Sequence, residues 1–305
     1  MEGSNAQGAG QSSPVKGLPF FDTVDAEYHG ALRAARDANV AAALLEDVGS
    51  GDQTGRLVPA EEMRRALIIV REAACLCGTP WFDEVMRRVD PRIEIEWQVE
   101  EGAWMRPGMT VCEMRGPARA LLTGERNALN FLQLLSGVAT ATRRYVALLD
   151  GTAARVLDTR KTLPGLRLAQ KYAVRTGGGA NQRLALYDGI LIKENHIAAA
   201  GGVGAALDAA WALNAGVSIQ VEVESIPQLH EALAHGATSI LLDNFNVGMM
   251  REAVQVGAGR ATLEVSGGVN AESIRTFAET GVDRISVGAL TKDVRATDYS
   301  MRIID

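Results

Sequence analysis

The chain has 305 residues, 47% of them apolar and 22% charged, with 32 glycines, a composition that fits a globular protein with room for a large core. A formal net charge of -6 excludes a general nucleic-acid binder, whose phosphate contacts need a broad basic surface. No apolar run is long enough to cross a bilayer, and residues 1–17 are small and polar rather than basic and then apolar, so residues 1–19 read as a disordered tail on a cytoplasmic protein.

From Phe20 to about Ala120 helix-like and strand-like patterns alternate. A helical stretch over 26–45 leads into a turn-rich loop at 46–52; residues 65–77 are rich in Ile, Leu and Val; 93–97 alternate; and Gly-Pro turn chemistry at 101–108 precedes a strand at 111–114. This half reads as a small α+β unit. Its three cysteines, Cys75, Cys77 and Cys112, lack the spacing of a zinc site and read as buried reduced thiols, which fits a reducing compartment. Residues 123–149 predict a long helix, opened by a capping-type Thr123 and carrying Leu129, Leu132 and Leu135 at helical spacing.

Beyond Gly151 six β-rich runs, 154–160, 187–193, 218–224, 239–245, 261–266 and 284–290, alternate with Ala- and Leu-rich helical patterns. Such alternation implies a parallel sheet, open or closed. Nearly every run ends in polar or glycine residues: Arg160-Lys161, Lys193-Glu194-Asn195, Glu222 with Glu224, Asp243-Asn244, Ser266-Gly267-Gly268 and Gly288. Functional groups at the carboxyl ends of many successive strands favour a barrel over an open sheet, and six strands instead of eight make it incomplete.

Between Arg155 and Lys193 eight basic residues face two acidic ones, a local +6 in a chain whose remainder must then carry -12. This segment is the natural receptor for a small anion. Arg167, Lys171 and Arg175, four apart, read as a solvated helix face as readily as part of a site. Arg160, Lys161, Arg183 and Lys193 stand at strand ends or close by, where a barrel aims side chains at a ligand. Glu222 and Glu224 share one face of their strand and Asp243 ends the next. These acids can hold Mg²⁺, accept hydrogen bonds from ribose hydroxyls or stabilise developing positive charge, with structural ion pairing as the alternative. Ser266-Gly267-Gly268 and Gly288 offer backbone N–H groups to a phosphate. His196, without a partner histidine, reads as structural, and Gly201-Gly202-Val203-Gly204 matches a dinucleotide fingerprint only superficially.

The segments Asp158-Thr159-Arg160-Lys161-Thr162-Leu163-Pro164-Gly165-Leu166-Arg167, Lys171-Tyr172-Ala173-Val174-Arg175 and Leu191-Ile192-Lys193-Glu194-Asn195-His196 resemble the central signature of quinolinate phosphoribosyltransferases. Glu125-Arg126, Glu222-Val223-Glu224, Leu242-Asp243-Asn244 and Ser266-Gly267-Gly268 extend the resemblance over roughly 46–290. It implies an N-terminal α/β sandwich domain (20–122) packed on an open six-stranded α/β barrel (123–291), with residues 292–305 returning to the first domain, and a homodimer with shared active sites. It further implies transfer of a phosphoribosyl group from phosphoribosyl pyrophosphate (PRPP) to quinolinate, with Mg²⁺ on the pyrophosphate. By this resemblance quinolinate is held by Arg160, Lys161, Gln182, Arg183 and Lys193, with Arg126 from the neighbouring subunit; PRPP is held by Glu222, Asp243, Ser266, Gly267, Gly268 and Gly288. Lys161, Lys193, Glu222 and Asp243 are the residues expected to carry the chemistry, and Glu222 and Asp243 those expected nearest the metal. One departure stands out: the family usually has histidine before the arginine at 183, and this chain has Gln182, which does not titrate near neutrality.

Overall fold

Strand β1 (Met63–Val70) shows why the first half forms a one-sided sheet: Ala66, Ile68 and Val70 are fully buried while the residues between them are partly exposed. The computed structural model describes residues 25–304, so the disordered tail expected over 1–19 lies outside the described residues. A four-stranded antiparallel sheet has the order β12-β1-β5-β3, with β3 spanning Glu94–Trp97, β5 Thr110–Pro117 and β12 Tyr299–Ile303. After the last barrel helix the chain thus comes back to pair with β1, setting Met301 opposite Ile68. Short strands β2 (Ala74–Cys75) and β4 (Trp104–Met105) form a separate ribbon. Cys75, Cys77 and Cys112 are free and buried, and burial pushes their thiols up, which keeps them uncharged core residues.

Two features differ from the pattern reading. Residues Thr79–Val89 form a helix that the sequence reading leaves unassigned, begun by Pro80 in its first turn and burying Trp81, Phe82, Val85 and Met86. The long helix runs Ala118–Leu148 and so starts five residues before Thr123. β5 passes straight into it at Pro117, and Thr123 is no cap: its hydroxyl donates to the Arg119 carbonyl and to Asp52. Leu129, Leu132 and Leu135 are buried along this helix as their spacing requires.

The six sequence runs each contain one strand of a parallel sheet: β6 (Arg155–Leu157), β7 (Gly189–Ile192), β8 (Ser218–Val223), β9 (Ser239–Asp243), β10 (Thr262–Ser266) and β11 (Arg284–Ser286). Their order is β6-β11-β10-β9-β8-β7, so the two strands adjacent in sequence, β6 and β7, stand at opposite edges. This is an open six-stranded α/β barrel. At the seam one bridge joins Leu157 to Ala180, and the Asp158 N–H donates to the Ala180 carbonyl at 3.2 Å. Outward residues such as Ile219, Val221 and Val223, or Leu263 and Val265, are buried and apolar. The alternate positions, which face inward, include Gln220, Glu222, Glu264, Arg284 and Ser286. No helix among the described residues is long and apolar enough to cross a membrane.

Glu84, buried in helix Thr79–Val89, accepts from Arg87 at 2.7 and 2.9 Å and from Arg88 at 2.6 Å. Those guanidiniums hold its carboxyl down at about 2 against the opposing effect of burial. The folded value lies below that of a free glutamate, about 4.3, so ionised Glu84 stabilises the fold above that pH and its contribution fades as pH falls towards 2. Glu84→Gln should therefore lower the melting temperature at pH 7, and the gap from the parent should close between pH 4 and pH 2 in thermal melts.

Candidate active site

Because the six barrel strands are parallel, everything at their carboxyl ends reaches the same mouth. Arg160 and Lys161 follow β6, Lys193 follows β7, Glu222 lies next to the end of β8, Asp243 ends β9, Ser266 ends β10 and Gly288 follows β11. The 159–163 loop is tied down from below: the Leu163 N–H donates to Gln170 Oε1 at 2.7 Å, and Thr291 Oγ1 donates to the Lys161 carbonyl at 2.8 Å.

The mouth has two electrostatic halves. Lys193 Nζ lies 3.0 Å from Glu222 Oε2, the lysine side chain 46% exposed and the glutamate 8%. Burial raises the Glu222 carboxyl, Lys193 opposes that, and the nearby Asp243 carboxylate raises it further. Asp243 accepts from the Asn244 amide at 2.9 Å. Gly267, at φ +97, packs against both: a β-carbon there would stand 3.2 Å from Asn244 Oδ1 and 3.5 Å from Asp243 Oδ1.

On the seam side two guanidiniums lie close together, with Asp188 the acid that acts on Arg183. Arg183 donates to the Gly189 carbonyl at 2.8 Å, and burial followed by the neighbouring Arg160 guanidinium lowers its affinity for its proton. Arg160 Nε is buried with no hydrogen-bond partner. Two adjacent guanidiniums with an unspent donor have the chemistry to engage carboxylates. Lys161 adds a third cation and lies across Gly288, where a β-carbon would come within 3.3 Å of Lys161 Cδ. A side chain at 288 would push that lysine aside.

Lys171 is a correction. Its side chain is fully buried instead of solvated, its Nζ 2.5 Å from Asp158 Oδ1 and 2.9 Å from the Gln182 carbonyl. Asp158 also accepts from Asn181 Nδ2 at 2.6 Å and from the Gln182 N–H at 2.9 Å, so this pair fixes the segment that carries Arg183. Arg175 is exposed, and Arg167 donates to Thr162 Oγ1 at 3.2 Å. Gln182 spends its amide on protein groups, donating to Gln220 Oε1 at 2.7 Å and to both oxygens of Glu264 at 3.2 Å. His196 is structural: its Nδ1 accepts from the Lys193 N–H and closes the start of helix Glu194–Ala200. That helix occupies the place of the strand a dinucleotide fingerprint needs, and Gly201 ends it.

Arg126 is not brought to the mouth. It is exposed on the long helix and borders a depression formed with residues 47–58, in which no barrel residue takes part. Gln220, Glu264, Arg284 and Ser286 are not among the residues that the sequence singles out, although polar side chains recur at every second position of the otherwise apolar strands β8, β10 and β11. Asp158, just after β6, is part of the signature segment but gives no sign there of its pairing with Lys171.

Residues 52–136 match the N-terminal domain and residues 138–302 the C-terminal domain of quinolinate phosphoribosyl transferase. The chain belongs to the quinolinate phosphoribosyltransferase family. A nicotinate-nucleotide pyrophosphorylase (carboxylating) of Mycobacterium leprae is 43% identical over 277 residues, 88% of this chain and 96% of that protein. A quinolinate phosphoribosyltransferase (decarboxylating) of Nicotiana tabacum is 37% identical over 283 residues, 86% of this chain and 80% of its own length. The structure of the nicotinate-nucleotide pyrophosphorylase from Francisella tularensis superposes with a TM-score of 0.87 at 42% identity, covering 89% of this chain and 96% of that one.

Within this quinolinate phosphoribosyltransferase fold, the Asp158–Lys171 pair supports the cationic half of the mouth. Lys171→Met leaves a buried carboxylate without its counter-ion, which should cost about 3–5 kcal/mol of stability in urea unfolding.

Proposed function

We infer that the chain joins quinolinate to PRPP, releasing pyrophosphate and carbon dioxide and forming nicotinate mononucleotide, a step of NAD biosynthesis. The observation that carries this reading is the Arg160–Arg183 pair, two half-buried guanidiniums of which Arg160 keeps an unspent Nε donor, at the same barrel mouth as Glu222, Asp243 and the glycine loops. A pyridine dicarboxylate needs several cations, and planar guanidiniums engage carboxylates through two hydrogen bonds. One monocarboxylate would leave that side over-charged.

In the mechanism, Arg160, Arg183, Lys161 and Lys193 hold the ring carboxylates, while the backbone of Ser266, Gly267, Gly268 and Gly288 and the acids Glu222 and Asp243 hold PRPP. The ring nitrogen donates its lone pair to the anomeric carbon as the bond to pyrophosphate breaks and its electrons leave with the pyrophosphate. Glu222 and Asp243 stabilise the positive charge that grows at that carbon. The bond from the ring to the carboxylate beside the nitrogen then breaks, carbon dioxide departs, the cationic ring holds the electron pair, and the carbon left behind takes up a proton. Lys193 opposes the rise that burial and the Asp243 carboxylate impose on the Glu222 carboxyl.

Magnesium suits this donor set. Among the described residues no group of three or more His, Cys, Asp and Glu side chains forms a dedicated metal cage. Mg²⁺ favours oxygen ligands and is commonly held by one or two carboxylates together with substrate phosphates, which is what Glu222 and Asp243 offer beside a pyrophosphate. When bound it neutralises charge on the leaving pyrophosphate. The three buried free thiols support a reducing compartment, and we assign the protein to the cytoplasm.

The exposed Arg126, remote from its own mouth, supports a homodimer in which each subunit lends that arginine to its neighbour's quinolinate. Incubating the protein with PRPP, Mg²⁺ and quinolinate should yield nicotinate mononucleotide by mass; a folded protein that forms none refutes the reaction. Arg160→Ala, Lys161→Ala and Lys193→Ala should each lower kcat/KM by about a hundredfold or more with melting temperature little changed, because each removes one cation from a polyanion site. Arg126→Ala and Lys161→Ala should each be nearly inactive alone, yet regain about a quarter of parental activity on random re-association, since half the dimers are mixed and half their sites intact. Mixed dimers as silent as either parent would place Arg126 within its own subunit.

A further inference from the structure

Beneath the mouth the barrel interior holds a polar array that takes no direct part in the chemistry above. At its centre Glu264, fully buried on β10, accepts from Ser286 Oγ at 2.5 Å and from Gln220 Nε2 at 2.9 Å. Gln182 Nε2 reaches both of its oxygens at 3.2 Å and also donates to Gln220 Oε1 at 2.7 Å. On its other side Gln182 Oε1 accepts the Arg183 N–H at 2.7 Å. The orientation of this amide is decided by its surroundings. Turned over, it would set its oxygen against the Glu264 carboxylate and its NH₂ against the Arg183 N–H, two repulsive contacts in a buried place.

The array is therefore a chain of contacts from the barrel floor to the backbone of Arg183. Its far end is anchored in three strands, since Glu264, Gln220 and Ser286 belong to β10, β8 and β11. Arg284 stands opposite Glu264 in the β10–β11 register, and its charge balances the buried carboxylate. Residue 182 is held at every polar atom: its N–H by Asp158, its carbonyl by Lys171, its side chain by Gln220, Glu264 and the next residue's N–H. With both amide protons spent on protein acceptors, Gln182 has none to give to a substrate.

We propose that Glu264 and Gln182 are positioning residues for quinolinate, with Glu264 acting through the Gln182 amide to fix where Arg183 presents its guanidinium to the ring carboxylates. The inference rests on the reaction assigned above. It separates two roles that the position before Arg183 can play: a strut needs one acceptor and one donor on opposite edges, and no titration. Neutral histidine meets that requirement with its two ring nitrogens, and so does glutamine. Methionine has similar length and neither function.

The test compares KM for quinolinate with KM for PRPP in five proteins: the parent, Gln182→Met, Gln182→His, Glu264→Gln and the double variant Gln182→Met/Glu264→Gln. Gln182→Met leaves the Arg183 N–H, Gln220 Oε1 and one face of Glu264 unpaired, and should raise the quinolinate KM by about tenfold or more while the PRPP KM stays within about twofold. Gln182→His should return the quinolinate KM to within about threefold of the parent. Glu264→Gln should shift the same constant in the same direction, and the double variant Gln182→Met/Glu264→Gln should be no worse than Gln182→Met, because both act along one chain of contacts. Equal rises in both KM values, effects that multiply in the double variant, or a fall in melting temperature with quinolinate KM unchanged would overturn the proposal. If Glu264→Gln does not fold, Gln182→Met and its rescue by histidine decide the matter alone. A parent that makes no nicotinate mononucleotide refutes the reaction itself, whereas an active parent matched by Gln182→Met refutes only the strut.

Discussion

The buried pair between Asp158 and Lys171 is the interaction on which the site depends. It sits where the barrel fails to close, at the seam between β6 and β7, and there a few residues have to stand in for a missing strand ladder. Taking two charges out of water is expensive, and their mutual attraction repays it only when the remaining lone pairs and protons are also satisfied. Here they are. Asp158 accepts from Lys171, Asn181 and the Gln182 N–H, and Lys171 donates in addition to the Gln182 carbonyl. Side-chain contacts thus do at the seam what main-chain pairing does elsewhere in the sheet, and the segment they fix is the one that delivers Arg183.

That anchoring answers an electrostatic difficulty. A chain of net charge -6 must present cations to dianionic and polyanionic substrates without allowing its own acids to neutralise them. The fold does this by segregation. Lys193 pairs with Glu222 on the β7–β8 side, while Arg160 and Arg183 stand near each other, and Asp188, the acid that acts on Arg183, is engaged by the N–H groups of Leu184 and Ala185. Like charges side by side repel, so the arrangement needs a rigid backbone beneath it, and the buried pair with the 159–163 tethers provides one. The opposing side then combines acids with flexible glycine backbone, as a phosphorylated sugar requires.

How far this was legible in sequence depends on the range of the interactions. The six barrel strands all fall within the six β-rich runs, because an apolar outward face and a polar strand end are local patterns. The candidate ligands at those ends follow from the same logic, since parallel strands deliver their carboxyl ends to one place. Local patterns failed where the partner was distant. Lys171 looks solvated on a helix with Arg167 and Arg175, and only its meeting with Asp158, thirteen residues earlier, shows that it is buried. Thr123 resembles a cap, yet the helix begins at Ala118, since β5 enters it without a loop. Helix Thr79–Val89 carried a readable signal in its early proline, masked by the glycine and threonine before it. Arg126 has no placement in sequence at all, and in the structure it lies apart from the barrel residues.

The polar interior of the barrel is the last consequence of the same constraint. An apolar filling would pack the strands well enough, but apolar contacts are non-directional and tolerate small shifts of a neighbouring backbone. Hydrogen bonds impose distance and angle, and a buried array with every member satisfied admits few alternative arrangements. Gln182 joins that array to the backbone N–H of Arg183. Its neutrality matters too: a titratable group touching Glu264 would make the geometry of the cationic half depend on pH, whereas an amide keeps its donors and acceptor throughout the working range. Glutamine at this position therefore supplies a directional donor and acceptor without a proton equilibrium, so the aim of Arg183 depends on hydrogen-bond geometry and not on the protonation of residue 182.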